Sequence, residues 1–152
     1  MFELNSGLNE AGSHLHVLMR VVLDTNVLSE RTKQTPEPAV EAFLRAVPIE
    51  NIRLSAVVLA EIAQGVENNP TPQLKTFLAD VRALPLADFG EAEALEWGRM
   101  TSDGLRKGLS MQMRDTMIAA TAAVRGWTVA TRNTTDFTPL GVQVFDPWTQ
   151  KL

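Results

Sequence analysis

The apolar run at residues 19–24, MRVVLD, constrains the fold more than any other part of this 152-residue chain. It is too short for a buried helix, rich in β-branched side chains, and apolar at successive rather than alternate positions. Such a run is a strand covered on both faces, which requires a helical layer on each side of a mainly parallel sheet. NIRLS at 51–55, WTVAT at 127–131 and VQVFD at 142–146 also read as strands. Between them lie segments with apolar residues at i, i+3 and i+4. One helix starts near NVLSE at 26–30, and another runs through PEPAVEAFLRAV at 36–47 with proline in its first turn. AVVLAEIAQGV at 56–66 follows Ser55 as an N-cap, and PQLKTFLADVRAL occupies 72–84. EAEALEWGRMTSDGLRKG fills 91–108, and DTMIAATAAVRG at 115–126 is closed by Gly126. Strands alternating with helices predict a three-layer α/β/α sandwich around a mostly parallel sheet.

A hydrophobic share of 45% can fill one such core without disulfides, and the chain has no cysteine. That excludes thiolate metal sites and fits a reducing compartment. No run approaches the roughly 20 apolar residues of a membrane span. The expected location is therefore the cytoplasm, with no membrane partner. Residues 1–18, MFELNSGLNEAGSHLHVL, lack periodicity and are read as a flexible N-terminal extension ahead of one domain at 19–152. His14 and His16 within it fit a tail better than a metal site, and the segment is expected to be dispensable for fold and chemistry.

Four carboxylates stand where apolar stretches meet polar turns or amphipathic helices. Asp24 ends the first strand, Glu61 lies inside AVVLAEIAQGV, Asp115 opens the Ala-rich helix, and Asp136 lies in ATRNTTDF after the third predicted strand. Each has an ordinary explanation. Asp24 and Asp115 suit helix N-caps, Asp136 suits an Asx turn, and Glu61 shares a helix side with Gln64 and Asn68 that solvent could cover. The set says more than its members. Carboxylates at the carboxyl edge of a parallel sheet can converge on one cleft, where they repel one another unless a divalent cation intervenes. Such ions activate water and stabilise the leaving oxygen of a phosphodiester. Neutralising one carboxylate is then expected to stabilise the metal-free protein.

The net charge of −4 argues against binding nucleic acid by a broad basic surface, but not against a nuclease that holds phosphates with a few cations beside its metals. Arg31, Lys33, Arg106, Lys107, Arg114 and Arg132 are the candidates for RNA contact. The chain has no GxxxxGK[ST] phosphate loop and no GxGxxG fingerprint. A haloacid-dehalogenase-like phosphatase uses DxD on its first strand, and here the residue after next is Asn26. Trp97, Trp127 and Met117 lie on apolar-patterned segments and are expected to pack rather than stack on bases.

VVLDTNVLSE, LSAVVLAEIAQGVE and MRDTMIAATAAVRGWTVATRNTTDFTPLGVQVFDPW resemble the PIN-domain family, specifically the VapC-type and FitB-like toxins of type II toxin–antitoxin systems. The likeness runs from about residue 19 to 148. It implies a PIN fold, endoribonuclease activity dependent on Mg²⁺ or Mn²⁺, inhibition by a VapB/FitA-like antitoxin, and a homodimer. By the same likeness Asp24, Glu61, Asp115 and Asp136 are catalytic metal ligands. Thr25 and Asn26 would shape the first turn, while Thr131 and Asn133 would line the site. Two features depart from the family pattern: Thr116 replaces the usual Gly or Ala, and SMQM replaces a Pro-containing turn before Asp115. Residues 1–18 have no counterpart in the family. Two other readings compete, a catalytically silent PIN-fold binding protein and a metal-dependent small-molecule phosphatase.

Overall fold

The computed structural model describes residues 19–152. The expectations placed on residues 1–18, including His14 and His16, lie outside the described residues. Five strands form one parallel sheet: β1 (Val21–Leu23), β2 (Ile52–Ser55), β3 (Leu86–Ala87), β4 (Thr128–Ala130) and β5 (Val144–Phe145), in the order β3-β2-β1-β4-β5. Among the described residues seven α-helices connect and cover them: α1 (Thr25–Ser29), α2 (Pro38–Ala46), α3 (Ala56–Asn68), α4 (Pro72–Arg82), α5 (Glu91–Arg106), α6 (Met113–Arg125) and α7 (Thr134–Phe137). This is the α/β/α sandwich that the alternating pattern predicts.

β1 is the centre of the sheet, and Val21, Val22 and Leu23 are fully buried against both layers. Burial of each such side chain contributes about 1.5–3 kcal/mol. Leu54 of β2, Val129 of β4, Val58 of α3 and Ile118 of α6 complete this part of the core. In α6, Ala119, Ala120 and Ala122 are all buried, because small side chains let the helix lie close to the sheet and to α5. Gly126 closes α6 in the left-handed conformation, φ 64°. Ser55 caps α3 as expected, accepting from the Val57 N–H at 3.1 Å.

Two segments differ from the sequence reading. β3 is a two-residue strand between the segments read as helices at 72–84 and 91–108, to which no element was assigned, and it is too short to produce any alternation. Asp136 lies within the short helix α7 and not in an Asx turn, because the chain coils immediately after Asn133. No helix among the described residues is long and apolar enough to cross a membrane.

Candidate active site

The connections from β1 run through β2 and β3 to one side of the sheet and through β4 and β5 to the other. The topological switch point therefore falls between β1 and β4, where ligands bind in open parallel sheets. Asp24 and Thr131 occupy it. Asp24 follows β1, and its N–H donates to the Ala130 carbonyl at 2.9 Å, while the Thr131 N–H extends the ladder to Phe145. Both side chains are fully buried, and the Thr131 hydroxyl donates to Asp24 Oδ2 at 2.7 Å.

Asp24 is both candidate ligand and helix cap. Its Oδ1 accepts from the Thr25 N–H at 2.7 Å, which starts α1, and also from the guanidinium of Arg114 at 2.8 Å. Asn26 Nδ2 reaches Asp24 Oδ2 at 3.4 Å and Thr131 Oγ1 at 3.3 Å, and the Asn26 carbonyl oxygen faces the Arg132 N–H. Asn133 donates its backbone N–H to Thr131 Oγ1 at 3.0 Å. Its side chain has no capping bond to α7. Thr25, Asn26 and Thr131 thus hold the first carboxylate in place.

Glu61 comes from the middle of α3 and points toward the site instead of away with Gln64. Its Oε2 accepts from the Thr25 hydroxyl at 2.5 Å, and its Oε1 from Arg114 Nε. Asp115 is the third residue of α6, buried, with Oδ1 2.7 Å from Arg114 Nη1. Burial pushes the Asp115 carboxyl above its ordinary range. Arg114 pulls it back, and the charges of Asp24, Asp136 and Glu61 push it further up. Asp136 is exposed and lies within electrostatic reach of Asp115. Both border a cavity of about 290 Å³, together with Met111, Thr116 and Thr135.

Arg114, one of the candidates for RNA contact beside the acidic pocket, is the shared counterion of Asp24, Glu61 and Asp115, a role the sequence reading did not assign. Burial disfavours its charge, but those three carboxylates outweigh burial and raise its pKa. Its position immediately before Asp115, on the first turn of α6, was the available signal. Among the described residues no group of three acidic or histidine side chains is arranged to hold a metal ion as it stands, and the Arg114 guanidinium stands between the carboxylates.

The remaining cations divide in two. Lys33 pairs with buried Glu30 at 2.6 Å, Arg132 lies close enough to Glu30 to lower its pKa, and Arg31 pairs with Glu41 at 3.4 Å. Arg132 also lies 5.3 Å from the Trp148 ring. These residues follow β1 and β4, so they ring the carboxyl edge. Arg106 and Lys107, at the end of α5, bond along their own helix to Ser102 and Asp103.

The two departures before α6 have physical explanations. The buried Thr116 hydroxyl donates to the Gln112 and Met113 carbonyls and accepts from Trp97 Nε1 at 2.9 Å, fixing the helix start without a proline. Met111 is seated against Gly104, where an added Cβ would lie 2.3 Å from its sulfur. The loop that delivers Arg114 and Asp115 is thereby held against α5.

With the fold and the acidic edge in place, residues 21–138 match the PIN domain. The chain belongs to the PIN-domain family. Among its relatives, VapC ribonuclease Y4jK of Sinorhizobium fredii is 32% identical over 84% of this chain and 97% of that protein. Toxin FitB of Neisseria gonorrhoeae is 33% identical over 84% of this chain and 98% of its own length. A solved structure of FitAB bound to an IR36 DNA fragment superposes with a TM-score of 0.76 at 31% identity, covering 87% of this chain and 98% of that chain. The relatives fall in the VapC and FitB branch that the sequence motifs resemble.

Proposed function

We propose that this PIN domain is the toxin of a type II toxin–antitoxin pair, an endoribonuclease whose activity depends on Mg²⁺ or Mn²⁺. The observation that carries the reading is the convergence of Asp24, Glu61 and Asp115, from three separate elements, on one cation, with Asp136 in electrostatic reach. Carboxylate oxygens are the hard donors that Mg²⁺ and Mn²⁺ prefer, and three of these four already bind a positive charge. The donor chemistry of these residues fits the ion, and Asp24, Glu61, Asp115 and Asp136 would hold it in an arrangement other than the one that Arg114 now bridges. A bound divalent ion supplies the positive charge that activates water and stabilises the leaving oxygen of a phosphodiester.

The chain's own residues do the positioning. Thr131 and the Thr25 N–H fix both oxygens of Asp24, and the Thr25 hydroxyl orients Glu61. Arg31, Lys33 and Arg132 place positive charge along the same edge, where a single-stranded RNA backbone would lie. The named relatives, a ribonuclease and a toxin, support this activity, and the FitAB complex supports a FitA-like antitoxin as partner. An antitoxin basic side chain would find its complement in the acidic pocket. The same family reading includes a homodimer in the cytoplasm.

The test is cleavage of single-stranded RNA by the purified protein in chelator, Mg²⁺ and Mn²⁺. Cleavage that requires either ion and ceases in chelator is expected. Cleavage indifferent to chelator would remove the metal from the account, and RNA binding without cleavage under any condition would favour the silent PIN-fold protein.

A further inference from the structure

All three nitrogens of the Arg114 guanidinium are committed, each to a carboxylate from a different element. Nε donates to Glu61 Oε1 on α3, Nη1 to Asp115 Oδ1 on α6, and Nη2 to Asp24 Oδ1 at the end of β1. The planar fork is matched to this spacing as no ammonium could be. Those same oxygens are the hard donors a divalent ion would take. We infer that Arg114 holds the cation position of this site in the metal-free protein and leaves it when a divalent ion binds, so that this residue sets the metal affinity. The inference rests on the metal reading above.

Two observations support exchange over coexistence. The guanidinium can depart: its side chain is 31% exposed, and the preceding Gln112 and Met113 are exposed, so it swings outward without disturbing the core. Two of the three carboxylates also keep other partners when it goes. Asp24 keeps its bonds from the Thr25 N–H and the Thr131 hydroxyl, and Glu61 keeps the Thr25 hydroxyl. A partly prearranged set of oxygens is thus screened by a removable internal cation. Both occupants would draw on the same oxygens, Asp24 Oδ1, Glu61 Oε1 and Asp115 Oδ1, which sets them in competition.

The experiment measures Mn²⁺ binding by calorimetry or electron paramagnetic resonance, together with melting in chelator, on the parent, Arg114→Met and Arg114→Lys. Methionine keeps the stem packing and removes the charge. Loss of a competing set of charge-assisted bonds should tighten Mn²⁺ binding by Arg114→Met at least about tenfold, while lowering its melting temperature in chelator. Arg114→Lys keeps a point charge without the fork and should bind Mn²⁺ with intermediate affinity, which keeps the comparison available if the methionine variant folds poorly. Parent protein that binds Mn²⁺ while the variants bind equally or more weakly would overturn the exchange and assign Arg114 a supporting role beside the ion. Failure of all three proteins to bind Mn²⁺ would overturn the metal reading itself, and the exchange with it.

Discussion

Two arginine–carboxylate clusters flank α6, and they differ in their balance of charge. At its carboxyl end Arg125 pairs with buried Glu93 of α5 at 2.8 Å, one cation to one anion. Glu93 Oε2 also accepts from the Gly90 N–H at 2.9 Å, which satisfies a free backbone donor at the start of α5. Burial works against the Glu93 carboxylate, but the backbone N–H groups of Glu93 and Gly90 and the charge of Arg125 overcome it, and its pKa falls. At the amino end one guanidinium serves three carboxylates, with a fourth near, and the Asp115 pKa rises. A balanced buried pair is scaffold that satisfies itself. An overcommitted cation marks a place where the protein holds negative charge in excess, and that excess is what a divalent ion would neutralise.

The sharpest break of the comparison is Asp24→Asn. Removing a charged ligand worth several kcal/mol of transition-state stabilisation should lower RNA cleavage by about a thousandfold. It should also destabilise the metal-free protein by about 1–2 kcal/mol, because an amide cannot accept all the donors now aimed at this carboxylate. A cleavage assay paired with melting in chelator reads both. Sequence alone suggested that neutralisation would relieve repulsion; with Arg114 paired to Asp24, the opposite sign is expected at this position.

Trp127→Ala should follow, at about 2–3 kcal/mol of stability. This ring is half-buried at the opposite edge of the sheet, packed on the core with the Arg53 guanidinium 4.8 Å from its centre. RNA cleavage per folded molecule should not change. A loss of RNA binding at unchanged melting temperature would move the nucleic-acid surface to that edge.

The balanced pair gives a smaller effect of the opposite kind. Glu93→Ala should cost about 1–2 kcal/mol of stability and leave metal-induced stabilisation intact. Its pH signature is specific. A folded pKa below the ordinary 4.5 contributes stability that is present above that value and lost as pH falls through the folded pKa. Denaturant titrations across pH 3–7 should therefore show the parent losing its advantage over Glu93→Ala only on the acid side.

Much of this was legible in the chain. The sheet was readable because β1 is apolar at every position, and α3 and α6 because their apolar residues recur at helical spacing. The four carboxylates stood out at element ends, and the structure brings three of them onto one guanidinium with the fourth beside Asp115. β3 was hidden because two residues carry no period. The counterion role of Arg114 was hidden for a different reason: an arginine beside a helix start has the same local pattern whether or not it meets its own carboxylates. Only the tertiary arrangement of β1, α3 and α6 decides it. Glu93 was hidden in the same way, since its partner Arg125 lies on a separate helix.

The most direct test of the central claim is the anomalous scattering of Mn²⁺ in crystals of the protein grown or soaked with that ion. The account predicts a peak within coordination distance of Asp24 and Asp115, bordered by Glu61 and Asp136, with the Arg114 guanidinium displaced toward solvent. A peak elsewhere, or Arg114 still bridging Asp24, Glu61 and Asp115 at saturating Mn²⁺, would contradict it.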